Sequence, residues 1–189
     1  MLKNVTPIDP HMYHTHLPLR DPVAPAIAPQ EFKDAMATLV FSICVVAAHH
    51  KDEQLGRTVT SFMPLSAEPP RIMISIDVRS RLVDLIGLSR AFSISFFSAG
   101  QESVADAFAG KSRQDDRFSI SDWDYWPSGS PKLSDASVSM DCELVGSLDA
   151  GDHLLFIGVI TETELRHTLA PLLWSDRDYL VANRRSPQK

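Results

Sequence analysis

Cysteine is scarce in this chain, and long apolar runs are missing. Only Cys44 and Cys142 occur among the 189 residues. Two thiols cannot build a disulfide framework or a cysteine-rich zinc site, so we expect a reducing, cytoplasmic setting. No segment reaches the roughly 18 consecutive apolar residues that a membrane helix needs, and we predict no membrane association. Met1 to Arg20 carries charges, prolines and histidines and lacks the apolar stretch of a secretory signal.

Glycine is also sparse, and its eight residues are scattered singly. Neither G-x-G-x-x-G nor G-x-x-x-x-G-K-[ST] occurs, which argues against a Rossmann site or a P-loop. The H-E-x-x-H and G-x-S-x-G signatures of common zinc and serine hydrolases are absent too. A nucleotide cofactor would therefore have to be held by loop amides and side chains.

Positive charge is in deficit. Lysine and arginine number 18 against 24 aspartates and glutamates, for a formal net charge of -6. This dispersed negative balance removes the usual electrostatic reason for nucleic-acid binding, and we predict no such partner. The 44% hydrophobic and 22% charged composition is that of a globular protein, and the length suits one core.

Proline marks the start of the chain as separate from its body. Residues 1–28 contain five prolines without any periodicity, which predicts an extended arm. We expect one domain over residues 29–182 and a polar tail over residues 183–189. The arm's three histidines (His11, His14 and His16) have no fixed carboxylate or cysteine partner, so no metal site is predicted.

Strands outnumber helices in the predicted domain. Helices are expected near residues 29–39, 79–88 and after Ser98, the first with its apolar side toward the core. Strands are expected over residues 40–48, 58–63, 72–76, 91–97, 137–148, 153–164 and 171–174, with loops at 49–56 and 111–131. Helices do not alternate regularly with strands. This pattern favours a mainly β (α+β) fold, a β-barrel decorated with short helices, over a doubly wound sheet.

Three clusters could carry chemistry. Residues 56–70 form a strand that enters a turn rich in serine and threonine and closed by two prolines, which could offer hydroxyls and amides to a flat polar heterocycle. Arg79, Ser80 and Arg81 open a helix and suit a phosphate, or form only an N-cap between solvated arginines. His153 follows the hairpin turn at residues 149–152 and is either structural or functional.

In this order and spacing, the clusters resemble the short-chain flavin reductases, the NAD(P)H-dependent partners of two-component flavin monooxygenases. The family's run T-x-x-S-F-x-x-x-S-x-x-P-P reads here from Thr58 to Pro70, and the resemblance covers about residues 30–180. Further matching segments are Ser80-Arg81, Phe92 to Phe97, Phe108 to Lys111, Asp116-Arg117-Phe118, Gly129-Ser130-Pro131, Asp141-Cys142, Gly151-Asp152-His153, Phe156-Ile157-Gly158 and Pro171-Leu172-Leu173.

The resemblance implies an FMN-binding split β-barrel that forms a homodimer, with FMN or FAD near the subunit interface and NADH or NADPH as hydride donor. A flavin-dependent monooxygenase is the implied partner. The residues implied to line the isoalloxazine ring and ribityl chain are Thr60, Ser61, Phe62, Ser66 and Ala67.

The resemblance also assigns the remaining site residues. It implies that Ser80 and Arg81 meet the flavin phosphate and that Lys111 and Phe118 lie near the far end of the flavin. The nicotinamide nucleotide would be placed by Asp152, His153 and Tyr179. Of these, His153 is the candidate catalytic residue, which would orient the nicotinamide or the reduced flavin.

Other functions stay open on the residues alone. A reductase of another acceptor, such as a corrinoid, could use the same fold. A non-enzymatic flavin-binding electron carrier would bind flavin without oxidising NAD(P)H. A structural or interaction protein, in which the clusters are only turns and caps, would take up no flavin.

Overall fold

The computed structural model describes residues 14–182, apart from the side chains of His14, Gln114 and Asp115. The predicted tail and the first 13 residues of the predicted arm lie outside the described residues. Three helices are present: α1 (Pro29–Ala37), α2 (Arg81–Ser89) and α3 (Glu102–Asp106). A π-helical turn at Ala107–Lys111 and a 3₁₀ segment at Gln114–Ser119 follow α3. Within residues 14–182, no helix is long and apolar enough to cross a membrane.

Most of the regular structure is strand, as predicted. The thirteen strands in the described range are β1 (His14–His16), β2 (Phe41–Ser42), β3 (Cys44–His50), β4 (Glu53–Val59), β5 (Phe62–Ala67), β6 (Pro70–Asp77), β7 (Ala91–Phe96), β8 (Trp123–Tyr125), β9 (Pro131–Leu133), β10 (Val138–Asp149), β11 (His153–Leu165), β12 (Leu172–Ser175) and β13 (Asp178–Val181). The main sheet has the order β4-β3-β7-β10-β11-β6-β5, and its neighbours along this path are antiparallel. Small sheets β13-β12-β2 and β8-β9 complete the fold.

The main sheet curls around one apolar core. Leu55 on the edge strand β4 and Ile74 on β6, far along the sheet order, belong to the same buried cluster. Helix α2 contributes Leu82, Leu85 and Ile86 to that cluster. Because side chains alternate between the two faces of a strand, β3 also supplies a second cluster through its opposite face, which packs on α3 and the following turn. The expected barrel fold is therefore present.

The middle of the arm joins the main sheet. Strand β1 pairs in parallel with residues Ser147–Asp149 of β10, beyond the stretch Val138–Glu143 that β7 covers. The amide of Leu17 continues the contact by donating to the carbonyl of Asp149 at 2.9 Å.

The prediction that the first helix faces the core is wrong. Helix α1 has no buried residue, and the side chains of Phe32 and Met36 are 54% and 37% exposed. An amphipathic pattern specifies an apolar side but not the surface that covers it, and no element within residues 14–182 covers this one fully.

Several boundaries also differ from the prediction. The expected loop at 49–56 is only a turn at Lys51 and Asp52, because the polar residues around it continue the β3–β4 hairpin. The expected strand over 58–63 is interrupted at Thr60 and Ser61, where β4 ends and β5 begins. Strand β8 lies in the segment predicted as a loop, and no strand is predicted at β9 or β13, since such short strands carry little periodic signal.

Candidate functional site

A cavity of about 340 Å³ opens at the start of α2. Four arginines line it, Arg57, Arg79, Arg81 and Arg117, and no carboxylate is among its lining residues. The whole chain carries a formal net charge of -6, so this concentration of positive charge is local. Such a cavity attracts an anion, and guanidinium groups suit the geometry of phosphate.

The N-terminus of α2 adds to this field. Ser80 is the N-cap, and its Oγ accepts a hydrogen bond from the amide of Leu82 at 3.4 Å. Unpaired amides and the positive end of the helix dipole favour an anion at this position. The cap confirms the helix start that the sequence predicts at Ser80.

Two of the cavity's arginines hold carboxylates. Arg81 Nη2 lies 2.7 Å from Oε1 of Glu53 on β4. Arg79 donates through Nε and Nη2 to the two oxygens of Asp77, at 3.0 and 2.5 Å. These hydrogen bonds from Arg79 hold the pKa of Asp77 well below its usual range. Both arginine side chains are largely exposed, and the two ion pairs lie beside the cavity that these arginines line.

The other two arginines have different surroundings. Arg117 donates to the carbonyl oxygen of Ser112 at 3.3 and 3.4 Å, a neutral partner. Arg57 is exposed, and its side chain makes no hydrogen bond or ion pair with any residue of the described range 14–182. Neither guanidinium is neutralised by a described carboxylate.

The wall of the cavity is held by close packing. The buried Phe108 ring lies against Gly56 of β4, and Phe118 meets that ring edge-on with centroids 5.0 Å apart. Trp123 packs on Phe118 with centroids 4.8 Å apart. Phe118 therefore lies behind the cavity wall rather than on its surface. Gly110, at the rim, has a φ of 102° that favours glycine.

Asp152 and His153 lie at the end of β6 that leads into α2. His153 is paired in register with Asp77, and its Nδ1 lies 3.0 Å from Oδ1 of Asp152. This contact with His153 lowers the pKa of Asp152. The carbonyl of Asp152 accepts from the amide of Val78, which ties the pair to the segment carrying Arg79.

Thr60 and Ser61 reach the same end of the sheet. Ser61 Oγ donates to the carbonyl of Ser75 at 2.8 Å, and the amide of Ser75 donates to the carbonyl of Ser61 at 3.0 Å. Phe62, the next residue, packs edge-on against Phe96 at 4.9 Å between ring centroids. Ser61, at the break between β4 and β5, is therefore hydrogen-bonded to Ser75, two residues before Asp77 on β6. His153 pairs with Asp77 from the other side of β6.

Ser66 and Ala67 lie at the opposite end of the β5–β6 hairpin. Ser66 pairs in register with Arg71, and its Oγ donates to the carbonyl of Pro69 at 2.6 Å. A second cavity, of about 370 Å³, adjoins this end between Leu65, Ser66 and Val145. Within one chain, these two predicted residues do not share the cavity of Ser80 and Arg81.

Lys111 and Tyr179 are brought together by a residue that the sequence analysis does not single out. Asp106 receives a 2.7 Å contact from Lys111 Nζ and a 2.5 Å hydrogen bond from the hydroxyl of Tyr179. Lys111 and then Tyr179 lower the pKa of Asp106 through these bonds. Burial and the same hydrogen bond raise the pKa of Tyr179. The cluster fastens β13 to the turn that borders the cavity.

Sequence reasoning also assigns no role to Arg57 and Arg117. The only local signal for Arg57 is that this charged residue lies on the same side of its strand as the apolar Leu55 and Val59. The four arginines come from three separate segments, and only the folded sheet brings them to one cavity. As for metals, residues 14–182 contain no group of three or more ligating side chains that could hold an ion.

Comparisons with known proteins agree with this architecture. The flavin reductase like domain matches residues 36–182. The reductase component of 4-hydroxyphenylacetate 3-monooxygenase from Thermus thermophilus is 30% identical over 150 residues, covering 79% of this chain and 94% of the relative. An NADH:riboflavin 5′-phosphate oxidoreductase from Streptomyces pristinaespiralis is 34% identical over 164 residues, covering 84% and 91%.

Solved structures give the same result for the fold. A crystal structure of a candidate flavin reductase from Haemophilus somnus 129PT has a TM-score of 0.80 and 27% identity, over 82% of this chain and 100% of that chain. Fold and sequence thus define a split-barrel protein of the flavin reductase type. The chain belongs to the flavin reductase like family, and the resemblance stated from the sequence is confirmed.

The residues present fit the phosphate end of a flavin nucleotide. Its phosphate is an anion, and the cavity offers the helix N-terminus, Arg81 and further arginines without a lining carboxylate.

Proposed function

We propose that this protein reduces FMN or FAD with NADH or NADPH and supplies the reduced flavin to a flavin-dependent monooxygenase. The names of the relatives support both halves of the proposal: one acts on riboflavin 5′-phosphate with NADH, and the other is the reductase component of a monooxygenase. The arginine-lined cavity at the start of α2 is the observation that carries the proposal for this chain.

In this proposal, the amides that follow Ser80 and the guanidinium of Arg81 bind the flavin phosphate. Arg81 Nη2 lies 2.7 Å from Oε1 of Glu53, so a phosphate that binds there competes with this carboxylate for the guanidinium. When bound, the flavin accepts a hydride from the reduced nicotinamide, and the cofactors carry that chemistry themselves. The protein then has to bind, orient and exclude water.

The remaining predicted residues have positions that suit those tasks. Thr60, Ser61 and Phe62 would border the ring at the end of β6, and Phe118 supports the cavity wall from behind. His153, oriented by Asp152, would position the nicotinamide or the reduced flavin. Lys111 and Tyr179 would keep the neighbouring turn in place through Asp106.

A homodimer would complete the site. Ser66 and Ala67 are proposed to line the flavin, yet they lie at the other end of the hairpin from the arginine cavity of their own chain. A second copy could bring its β5 end to that cavity. The exposed apolar side chains of Met63 and Leu65 on β5 support such an interface, because they would be covered in it. We also propose a cytoplasmic location, in keeping with the free thiols of Cys44 and Cys142.

An anaerobic titration tests the proposed activity. Purified protein is mixed with FMN or FAD, then with NADH or NADPH, while the visible flavin absorbance is followed. We expect the flavin absorbance to be lost at a rate that depends on the protein. Flavin binding without NAD(P)H oxidation would instead indicate a non-enzymatic electron carrier. Reduction of a cobalt corrinoid in preference to free flavin would indicate a reductase of that other acceptor.

A further inference from the structure

Arg57 stands out among the residues that line the arginine cavity. It lies on β4 two residues after Leu55, which is buried beside Leu82 of α2. Alternate residues of a strand share a face, so Arg57 projects from the side of β4 that faces the helix start. Its guanidinium has no partner among residues 14–182. Because Arg57 is exposed, burial does not explain the missing partner.

The charges around the cavity fall into two groups. Arg79 and Arg81 are neutralised in part by Asp77 and Glu53. Arg57 on β4 and Arg117 on the 3₁₀ segment contact no described carboxylate. The phosphate proposed at Ser80 and Arg81 therefore leaves a second set of cations in the same cavity.

The size of the cavity also exceeds what one phosphate fills. The cavity, of about 340 Å³, has room for more than one phosphate group. A single phosphate has five heavy atoms, whereas a diphosphate places a second phosphorus centre directly beside the first. Gly110 lines the cavity, and nothing lies within 4 Å of the position that its Cβ would take.

We infer that Arg57, together with Arg117, forms a second phosphate subsite beside that of Ser80 and Arg81, and that the protein prefers FAD, which carries a diphosphate, over FMN. This inference rests on the proposed function, because it takes the first phosphate to be that of the flavin. The 2′-phosphate of NADPH could supply a second phosphate by another route. In NADPH, however, a ribose separates it from the diphosphate, whereas the two phosphates of FAD share an oxygen and so fit two adjoining subsites.

Binding measurements test this inference without relying on turnover. Dissociation constants for oxidised FAD, FMN and riboflavin are measured by equilibrium dialysis for the native protein and three variants. Arg57→Gln removes the charge, Arg57→Lys keeps it, and Arg20→Gln removes the same charge at an exposed position outside the cavity. We expect Arg57→Gln to weaken FAD about tenfold, as the loss of one charge-assisted hydrogen bond predicts, and to change FMN and riboflavin less than about twofold.

The controls sharpen that expectation. Arg57→Lys should recover part of the FAD affinity, and Arg20→Gln should match the native protein. The affinity for FAD should also depend less on salt in Arg57→Gln, because one phosphate contact has been lost. Unchanged FAD affinity, or an equal loss for FMN and FAD, would overturn the inference. A rise in the KM for NADPH alone would overturn it in favour of the 2′-phosphate.

Arg81→Gln separates this inference from the function on which it rests. If Arg81→Gln weakens both FMN and FAD relative to riboflavin while Arg57→Gln changes nothing, the second subsite is wrong and the flavin phosphate site stands. If neither variant distinguishes the three flavins, the proposed site itself is wrong.

Discussion

A Cβ atom on Gly56 would lie 2.7 Å from Cε1 of Phe108, closer than such atoms approach in folded proteins. The ring of Phe108 is 1% exposed and lines the arginine cavity, so β4 and the π-helical turn meet at this point only because residue 56 has no side chain. The shape of the cavity wall depends on that contact.

Gly56→Ala should therefore destabilise the protein and weaken flavin binding. Displacing a packed ring from a full core costs about 1–3 kcal/mol of unfolding free energy. Gly146→Ala is the matched control, since nothing lies within 4 Å of its Cβ position, and we expect a change within about 0.5 kcal/mol. Chemical denaturation of the two variants measures the difference, and equal stabilities would contradict the packing argument.

Glu53→Gln should strengthen the binding of phosphorylated flavins. In the native protein, Glu53 competes with a phosphate for Arg81, through an ion pair that is largely exposed. Exposed pairs contribute up to about 1 kcal/mol, so releasing Arg81 should tighten FMN by at most about fivefold. Riboflavin, which has no phosphate, serves as the control. Weaker FMN binding in this variant would mean that Glu53 acts mainly by orienting Arg81.

His153→Ala should slow flavin reduction while leaving the fold intact. The imidazole is half-buried and held by Asp152, and misplacing one reactant by about 1 Å can reduce a rate up to roughly 100-fold. We expect a decrease of about 10- to 100-fold in the hydride-transfer rate under anaerobic stopped-flow conditions. Asp152→Asn, which weakens the contact but keeps the ring, should have a smaller effect. An unchanged rate in His153→Ala would remove this residue from the site.

The Tyr179 hydroxyl should resist ionisation while the protein is folded. Burial, and then the hydrogen bond to Asp106, raise its pKa above the ordinary value of 10.0. Because the unfolded chain ionises first, the stabilisation is present below pH 10 and is lost as the pH rises above it. Native protein and Tyr179→Phe should give equal phenolate absorbance near pH 10 when folded. In denaturant at that pH they should differ by about half a tyrosine, because a tyrosine with the ordinary pKa is half ionised there; the same difference in the folded state would contradict this assignment.

Leu65→Asp should disrupt the proposed homodimer. Leu65 and Ile120 are both 40% exposed, but only Leu65 lies on the β5 edge that a second copy would cover. A carboxylate buried in an apolar interface opposes association strongly. Sedimentation velocity should show monomers for Leu65→Asp and the native assembly for Ile120→Asp. A monomeric native protein, or a dimer that survives Leu65→Asp, would refute the interface.

Local signals in the sequence predicted the parts of the fold that depend on local physics. The Ser80 cap, the hairpin at residues 149–152 and the long strands β10 and β11 all follow from residue spacing and turn chemistry. The split barrel itself came from the resemblance and from the irregular order of strands and helices. The exposure of the apolar side of α1 could not be predicted, because an amphipathic pattern does not show which surface, if any, covers that side.

The candidate site was predictable only in pieces. Ser80 and Arg81 are adjacent in sequence, so a phosphate site there could be proposed directly. Arg57 and Arg117 lie 60 residues apart in the sequence and line one cavity only in the folded chain, where Phe108 packs against β4. Asp106 joins Tyr179 across 73 positions, a distance at which composition and periodicity carry no information.

The short parallel strand β1 has a consequence for handling this protein. By lying along Ser147–Asp149, it shields main-chain donors and acceptors that the end of β7 leaves uncovered. An N-terminally truncated chain that begins at α1 would expose the unpaired main-chain groups of this part of β10, and exposed strand edges promote aggregation. Poor solubility of such a truncated preparation would then originate in an unprotected sheet rather than in a damaged flavin site.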